Sequence, residues 1–208
     1  MGATAVYDAR FLALADSDPV SSWTDRSASA NNATQSGAER PAFKVNQFNG
    51  QPGIEFTSAG QSSLILTSGI NVANTSETLI VSKKTASNSI IALSTDTSIN
   101  DGALATDFFT DQFYVIGTSG AGVFTNTSSA SPAVWMASPD NRIQLNGVAQ
   151  STSAVNVPGS NATRIGRRVN QFSNGHLGLI SYFGTALTAA SRKRVQHAAA
   201  YSFKIACS

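Results

Sequence analysis

The residues best suited to chemistry crowd the middle of the chain. Between Ser94 and Gly122 stand Asp101, Asp107 and Asp111, hard oxygen donors of the kind a calcium ion takes from loops. Around them lie Asn100, Gly102 and the aromatic residues Phe108, Phe109, Phe113 and Tyr114. The aspartate spacing matches no defined calcium loop, and the plainer reading is that these carboxylates cap turns and solvate the surface. Successive side chains of a strand point to opposite faces, so Phe108 and Phe109 cannot both enter one core. An exposed ring here, with Tyr114 and the Asn100 amide, makes a candidate ligand-binding set. The plainer alternative packs that ring under a loop beside the core.

Other reactive side chains are dispersed. His176 and His197 have no nucleophile and acid spaced to form a partnership with either, so no catalytic residue is assigned and both are read as structural or surface groups. Arg164, Arg167 and Arg168 form one basic cluster and Arg192, Lys193 and Arg194 another. Without interleaved exposed aromatics or a recognisable motif, neither predicts a nucleic-acid partner. Cys207 is the single cysteine, which excludes an internal disulfide and a Cys-x-x-Cys site.

The elements that must hold these groups are written in a weakly charged, Ser/Thr/Asn-rich chain. Of 208 residues, 41% are hydrophobic but only 12% charged, a composition that builds a core under a polar surface of low charge. The length predicts one domain over residues 1–208. A net charge of +2 and a pI near 8.9 select no partner. The opening MGATAVYDARFLALADSDPV lacks a basic n-region and its apolar positions are interrupted by acids, so neither a secretory signal nor a membrane anchor is expected, and no apolar run is long enough to insert into a bilayer.

Short strands with turn chemistry between them recur along the chain. A strand is expected within Ala5–Leu14, and Asp16-Ser17-Asp18-Pro19 ends it. Asn49-Gly50 predicts a tight turn, after which Ile54 and Phe56 share a buried face with Glu55 opposite. Ser63–Leu66 reads as a strand, and Thr78–Ser82 with Ser89–Leu93 as a hairpin. Gln112–Ile116 is a further strand, Gly117–Gly122 a turn, and Ala133–Ser138 a buried strand centred on Trp135. Arg142–Leu145, Asn146-Gly147 and Val148–Gln150 form a hairpin. Arg164-Ile165-Gly166 starts a strand, and Gly175–Phe183 is the last long one. Thr188 caps a helix over Ala189–Tyr201, with Arg192, Lys193 and Arg194 on its wet side. The sum predicts an all-β, two-sheet antiparallel sandwich, a jelly roll, with one short C-terminal helix.

Particular residues narrow this further. Asp18–Ser27 (DPVSSWTDRS), Asn31–Gln35 (NNATQ), Arg40-Pro41 and Asn49–Phe56 (NGQPGIEF), then Ile165–Arg168 (IGRR), Asn174–Gly178 (NGHLG), Ala186-Leu187-Thr188 and the basic helix, resemble the terminal segments of bacterial and phage concanavalin A-like, or laminin G-like, jelly-roll domains. The resemblance covers both ends and leaves the middle third unmatched. Two positions depart from it: Leu179 stands where similar domains often carry an acid, and Ser27-Ala28-Ser29-Ala30 replaces a Ser-Gly-x-Gly turn. Alanine enters positive φ less readily than glycine, so a stiffer turn is expected.

The resemblance implies binding rather than catalysis. Similar glucanases place their acids on one strand as Glu-x-Asp-x-Glu, whereas Glu39, Glu55 and Glu77 stand apart. It also implies calcium as a candidate ligand, Asp101, Asp107 and Asp111 being the candidate donors; no other cofactor is expected. Because such domains act outside cells while this chain shows no export signal, the expected setting is a virion. There it would be a capsid decoration or appendage protein, assembled or homo-oligomeric, contacting other virion proteins and host-surface glycans. The alternatives are an extracellular or cell-surface lectin or adhesin and, third, a glycoside hydrolase with unusual acids. Trp23, Phe43, Ile54, Phe56 and Trp135 are read as scaffold.

Overall fold

The computed structural model describes residues 2–72, 76–85, 90–95, 103–106, 112–117, 120–125, 131–137, 143–150 and 160–208. Two antiparallel sheets face each other. The first runs β14 (Val148–Ala149), β13 (Ile143–Leu145), β12 (Ala133–Ala137), β7 (Glu77–Lys84), β18 (Gly175–Phe183), β5 (Gln51–Phe56), β4 (Ala42–Phe48). Beyond β5, the same edge of β18 is taken over by β1 (Ala5–Asp8), with Ala5 opposite Tyr182 and Asp8 opposite Leu179. The second sheet runs β11 (Gly120–Thr125), β10 (Gln112–Gly117), β9 (Ala103–Thr106), β8 (Ile90–Ser94), β15 (Ser160–Ile165), β6 (Leu64–Val72), β3 (Ala33–Thr34), β2 (Ser22–Trp23). A small hairpin of β16 (Arg167–Arg168) and β17 (Gln171–Phe172) and the helix α1 (Ala189–Ser202) complete the set. This is the all-β sandwich that the alternation predicts.

Apolar side chains fill two layers. Between the sheets lie Tyr7, Trp23, Phe43, Ile54, Phe56, Ile80, Leu93, Trp135, Leu177 and Ile180, all buried. Trp23 and Trp135 are therefore core anchors, and Tyr7 packs tilted on Trp23 with ring centroids 5.7 Å apart. The second layer joins the outer face of the first sheet to α1 through Phe48, Leu79, Val81, Val134, Met136, Leu179, Phe183, Leu187, Ala199 and Phe203. Leu79 and Val81 thus face the helix while Ile80 faces the sandwich, which is why β7 reads as an unbroken apolar run. Leu179, at the position where an acid was an alternative, is part of this apolar layer.

Local turn chemistry settles several boundaries. Asn49 and Gly50 (φ 52° and 93°) close β4 onto β5, and Asn146 and Gly147 (φ 50° and 85°) close β13 onto β14, both with the paired positive φ of a type I′ turn. Thr188 accepts a hydrogen bond from the Ser191 amide at 3.2 Å, capping α1 as predicted. Ala30 takes φ 49°, the left-handed conformation that glycine would have entered without strain.

Four expectations are corrected. β7 and β8 are not a hairpin but belong to opposite sheets: a two-stranded ribbon would leave one apolar face of each wet, whereas β7 lies between β12 and β18 and β8 between β9 and β15. Arg164 and Ile165 close a strand instead of opening one, since Gly166 at φ 85° turns the chain away. Pairing within Gly117–Gly122 resumes at Gly120, opposite Gly117. Arg192 is not solvated, because it is drawn under α1 by Glu77.

Candidate functional site

Asn100, Asp101, Asp107, Phe108, Phe109 and Asp111 lie outside the described residues. Tyr114 is in β10, its backbone paired with Ala105 and Val123. Among the described residues no three His, Cys, Asp or Glu side chains come together as a metal site, and no helix is long and apolar enough to cross a membrane.

The described site grows out of the signature around Trp23. Asp25, almost fully buried, accepts hydrogen bonds through Oδ1 from the amides of Val6 (2.8 Å) and Ser27 (2.9 Å), and through Oδ2 from the Ser27 hydroxyl and the Asn31 amide, both at 2.9 Å. Asn32 Oδ1 accepts from the Asp25 amide at 3.0 Å. A buried carboxylate surrounded by donors in this way orders the loop it belongs to. The Trp-x-Asp and Asn-Asn residues are thus the hub that fixes the turn from Ser27 to Asn31.

That turn in turn shapes β6. The register of β6 against β15 slips between the pairs Ile70–Ala162 and Ile65–Arg164, so β6 bulges, and Ser68 and Gly69 are exposed. The Asn31 side chain takes the place of a strand partner: its Nδ2 donates to the Ser68 carbonyl and its Oδ1 accepts from the Ser68 amide, both at 2.7 Å. The Asn31 carbonyl accepts from the Tyr7 hydroxyl. Facing the bulge, Tyr182 donates its hydroxyl to the Asn71 carbonyl, and burial pushes its phenol pKa up, so it stays a neutral donor.

The result is an open cleft of about 380 Å³ at one end of the sandwich. Ile70, Asn31 and Tyr182 form its buried floor, and Thr4, Ser29, Ser68, Asn71 and Gly184 its exposed rim. The Gly184 amide donates to Thr4 Oγ1 at 3.1 Å, tying the two sides. Hydroxyls, the amides of Asn31 and Asn71 and backbone groups line the cleft, and no charged group of a described residue does. Such a surface can exchange hydrogen bonds with a hydroxylated, uncharged molecule. No sequence reasoning pointed here: the lining comes from four separate segments of residue types common throughout the chain.

Among the described residues the three glutamates have structural partners. Glu77 is fully buried against Arg192, Glu55 lies 3.6 Å from both Lys44 and His176, and Glu39 accepts from Gln35 at 3.2 Å. His176 is buried, and its imidazole pKa is pushed down to about 4 by that burial, with Lys83 and Lys44 adding to it.

Fold and cleft together define an antiparallel all-β sandwich with an open polar cleft at one end. No protein-family model matches the chain. No curated protein matches it in sequence. In structure it is similar to domain 4 of a GH43 extracellular arabinanase from Geobacillus stearothermophilus, solved in complex with arabinotriose, at 13% identity and TM-score 0.58 over 85% of this chain and 97% of that domain. It is also similar to the binding domain of Paraclostridial Mosquitocidal Protein 1 (10% identity, TM-score 0.57, 88% of this chain and 51% of that one). The botulinum neurotoxin type G receptor binding domain is a third (11%, 0.58, 96% and 52%). The chain therefore spans nearly all of the arabinanase domain but about half of either toxin domain. At these identities the likeness is one of fold.

Proposed function

We propose that the chain is a non-catalytic carbohydrate-binding module that takes neutral oligosaccharides in the cleft between Thr4, Ser29, Ser68, Asn71 and Tyr182. The observation that carries this is the cleft's uncharged lining of hydroxyls and amides, fixed from behind by the Asn31–Ser68 pair. Sugars offer the same groups in return, and a pre-ordered rim loses little entropy on binding them. The arabinanase domain solved with arabinotriose supports the ligand class. The partnered glutamates support the absence of hydrolysis, which needs two acids free to flank one bond.

Calorimetric titration with arabinotriose and other neutral oligosaccharides tests the proposal. Saturable binding is expected, weakened roughly 3- to 10-fold by Asn71→Ala, the value of one hydrogen bond. Affinity untouched by that change, or release of reducing sugar, contradicts it. Calcium enters only through Asp101, Asp107 and Asp111; binding in the cleft is expected to survive chelation.

A second reading sets the module on a virus particle, as a capsid decoration or appendage component meeting host-surface glycans. It is supported by the likeness of the terminal segments to bacterial and phage domains. Co-sedimentation with purified particles is its expected outcome, and a protein absent from particles and monomeric alone removes it.

A further inference from the structure

On the helix side of the molecule, away from the cleft's residues, an open groove of about 700 Å³ is lined by Arg10, Tyr201, Ser202, Lys204 and Ile205. Tyr201 is 88% exposed, so its ring contributes little to either core. Lys204 occupies the left-handed position just past the end of α1, with φ 53°. Its amide donates to the Tyr201 carbonyl and that of Ile205 to the Ala200 carbonyl, the helix stop at which glycine is the default residue. The Asn49 side chain holds the Lys204 carbonyl at 2.8 Å, the Lys204 ammonium lies beside Gly50, and no carboxylate of a described residue pairs with it.

Arg10 is held still. Its Nε and Nη2 donate to Asp8, at 3.0 Å and 2.6 Å, and its guanidinium lies 4.8 Å from the centre of the Phe203 ring, leaving Nη1 without a bond to any described residue. Beyond it, Arg26 stacks at 3.7 Å on Phe11, which is 59% exposed. With Arg10 balanced by Asp8, Lys204 and Arg26 leave this surface positive. It therefore combines an exposed aromatic ring, fixed guanidinium donors and an unpaired ammonium.

We propose that this groove is a second saccharide site, for a sugar bearing a carboxylate. The Tyr201 ring supplies the platform for the apolar face of the pyranose, and Lys204 with Arg10 Nη1 receives the carboxylate. The inference goes beyond the neutral-sugar reading of the cleft and stands on different residues.

The probe is an oligogalacturonate, titrated by calorimetry into the whole chain at low and high salt beside its neutral galactose counterpart. Saturable binding that weakens with salt is expected, at least about tenfold tighter than for the neutral sugar. Lys204→Gly removes the ammonium while easing the backbone, so it is expected to weaken uronate binding about tenfold without lowering the melting temperature. Lys204→Arg is expected to retain binding, and Tyr201→Ala to lose it. Saturating arabinotriose is expected not to compete. Uronate binding that ignores both Lys204→Gly and Tyr201→Ala, that arabinotriose displaces, or that is absent overturns the proposal. Arabinotriose binding with no uronate binding sinks this site alone, whereas the reverse sinks the cleft reading alone.

Discussion

Arg192, one turn into α1, donates to Glu77, the first residue of β7, through Nη2 at 2.5 Å and Nε at 3.3 Å, in a setting where the glutamate has no exposure to solvent. This pair joins the helix to the sheet it covers. Arg192→Leu leaves a buried carboxylate uncompensated and is expected to cost about 3–5 kcal/mol in urea unfolding. The double change Glu77→Leu with Arg192→Leu is expected to recover most of that. A single variant as stable as the parent contradicts a buried, obligatory pair.

His176 gives a pH dependence with a defined sign. Its folded pKa, near 4, lies below the ordinary value of 6.5, so the native protein keeps it neutral while the unfolded chain takes up a proton first. The stability it contributes is complete above pH about 6.5 and is lost as the pH falls toward 4, by up to about 3 kcal/mol. His176→Gln is expected to flatten that limb of the stability profile. An unchanged slope places the proton uptake elsewhere.

Gly166 and Gly147 are the two tightest of the described glycines, and Gly166 is the one packed on the core. A Cβ there would lie 2.1 Å from Phe56 Cδ1, and the backbone is at φ 85°. Gly166→Ala is expected to lose about 2–5 kcal/mol, the sum of overpacking and a left-handed backbone. A loss below 1 kcal/mol in thermal or urea unfolding contradicts the packing described.

What was legible in the sequence is what neighbours decide. Asn49-Gly50, Asn146-Gly147 and the Thr188 cap are local chemistry, and each stands where the residues alone place it. Ile54 and Phe56 alternate with Glu55 because one sheet face is dry. Arg192 was unreadable, since its partner lies 115 residues away. The division of β7 and β8 between sheets was equally hidden, because an apolar run does not say which partner buries it. The cleft escaped for a related reason: its rim depends on a bulge in β6 that the Asn31 amide, 37 residues distant, and the Asn32 carbonyl hold in place. The signature around Trp23 and Asp25 identified a fold, and the structure gives its residues a supporting task behind the cleft.

Neutral sugars bound between Thr4, Ser29, Ser68–Asn71 and Tyr182 must perturb the backbone of those segments. Backbone amide shifts followed by NMR during titration with arabinotriose test it most directly. Saturable shifts concentrated on Thr4, Ser29, Ser68, Gly69, Asn71 and Gly184 are expected. Shifts gathered instead on Asn100–Asp111, or none anywhere at saturating sugar, contradict it.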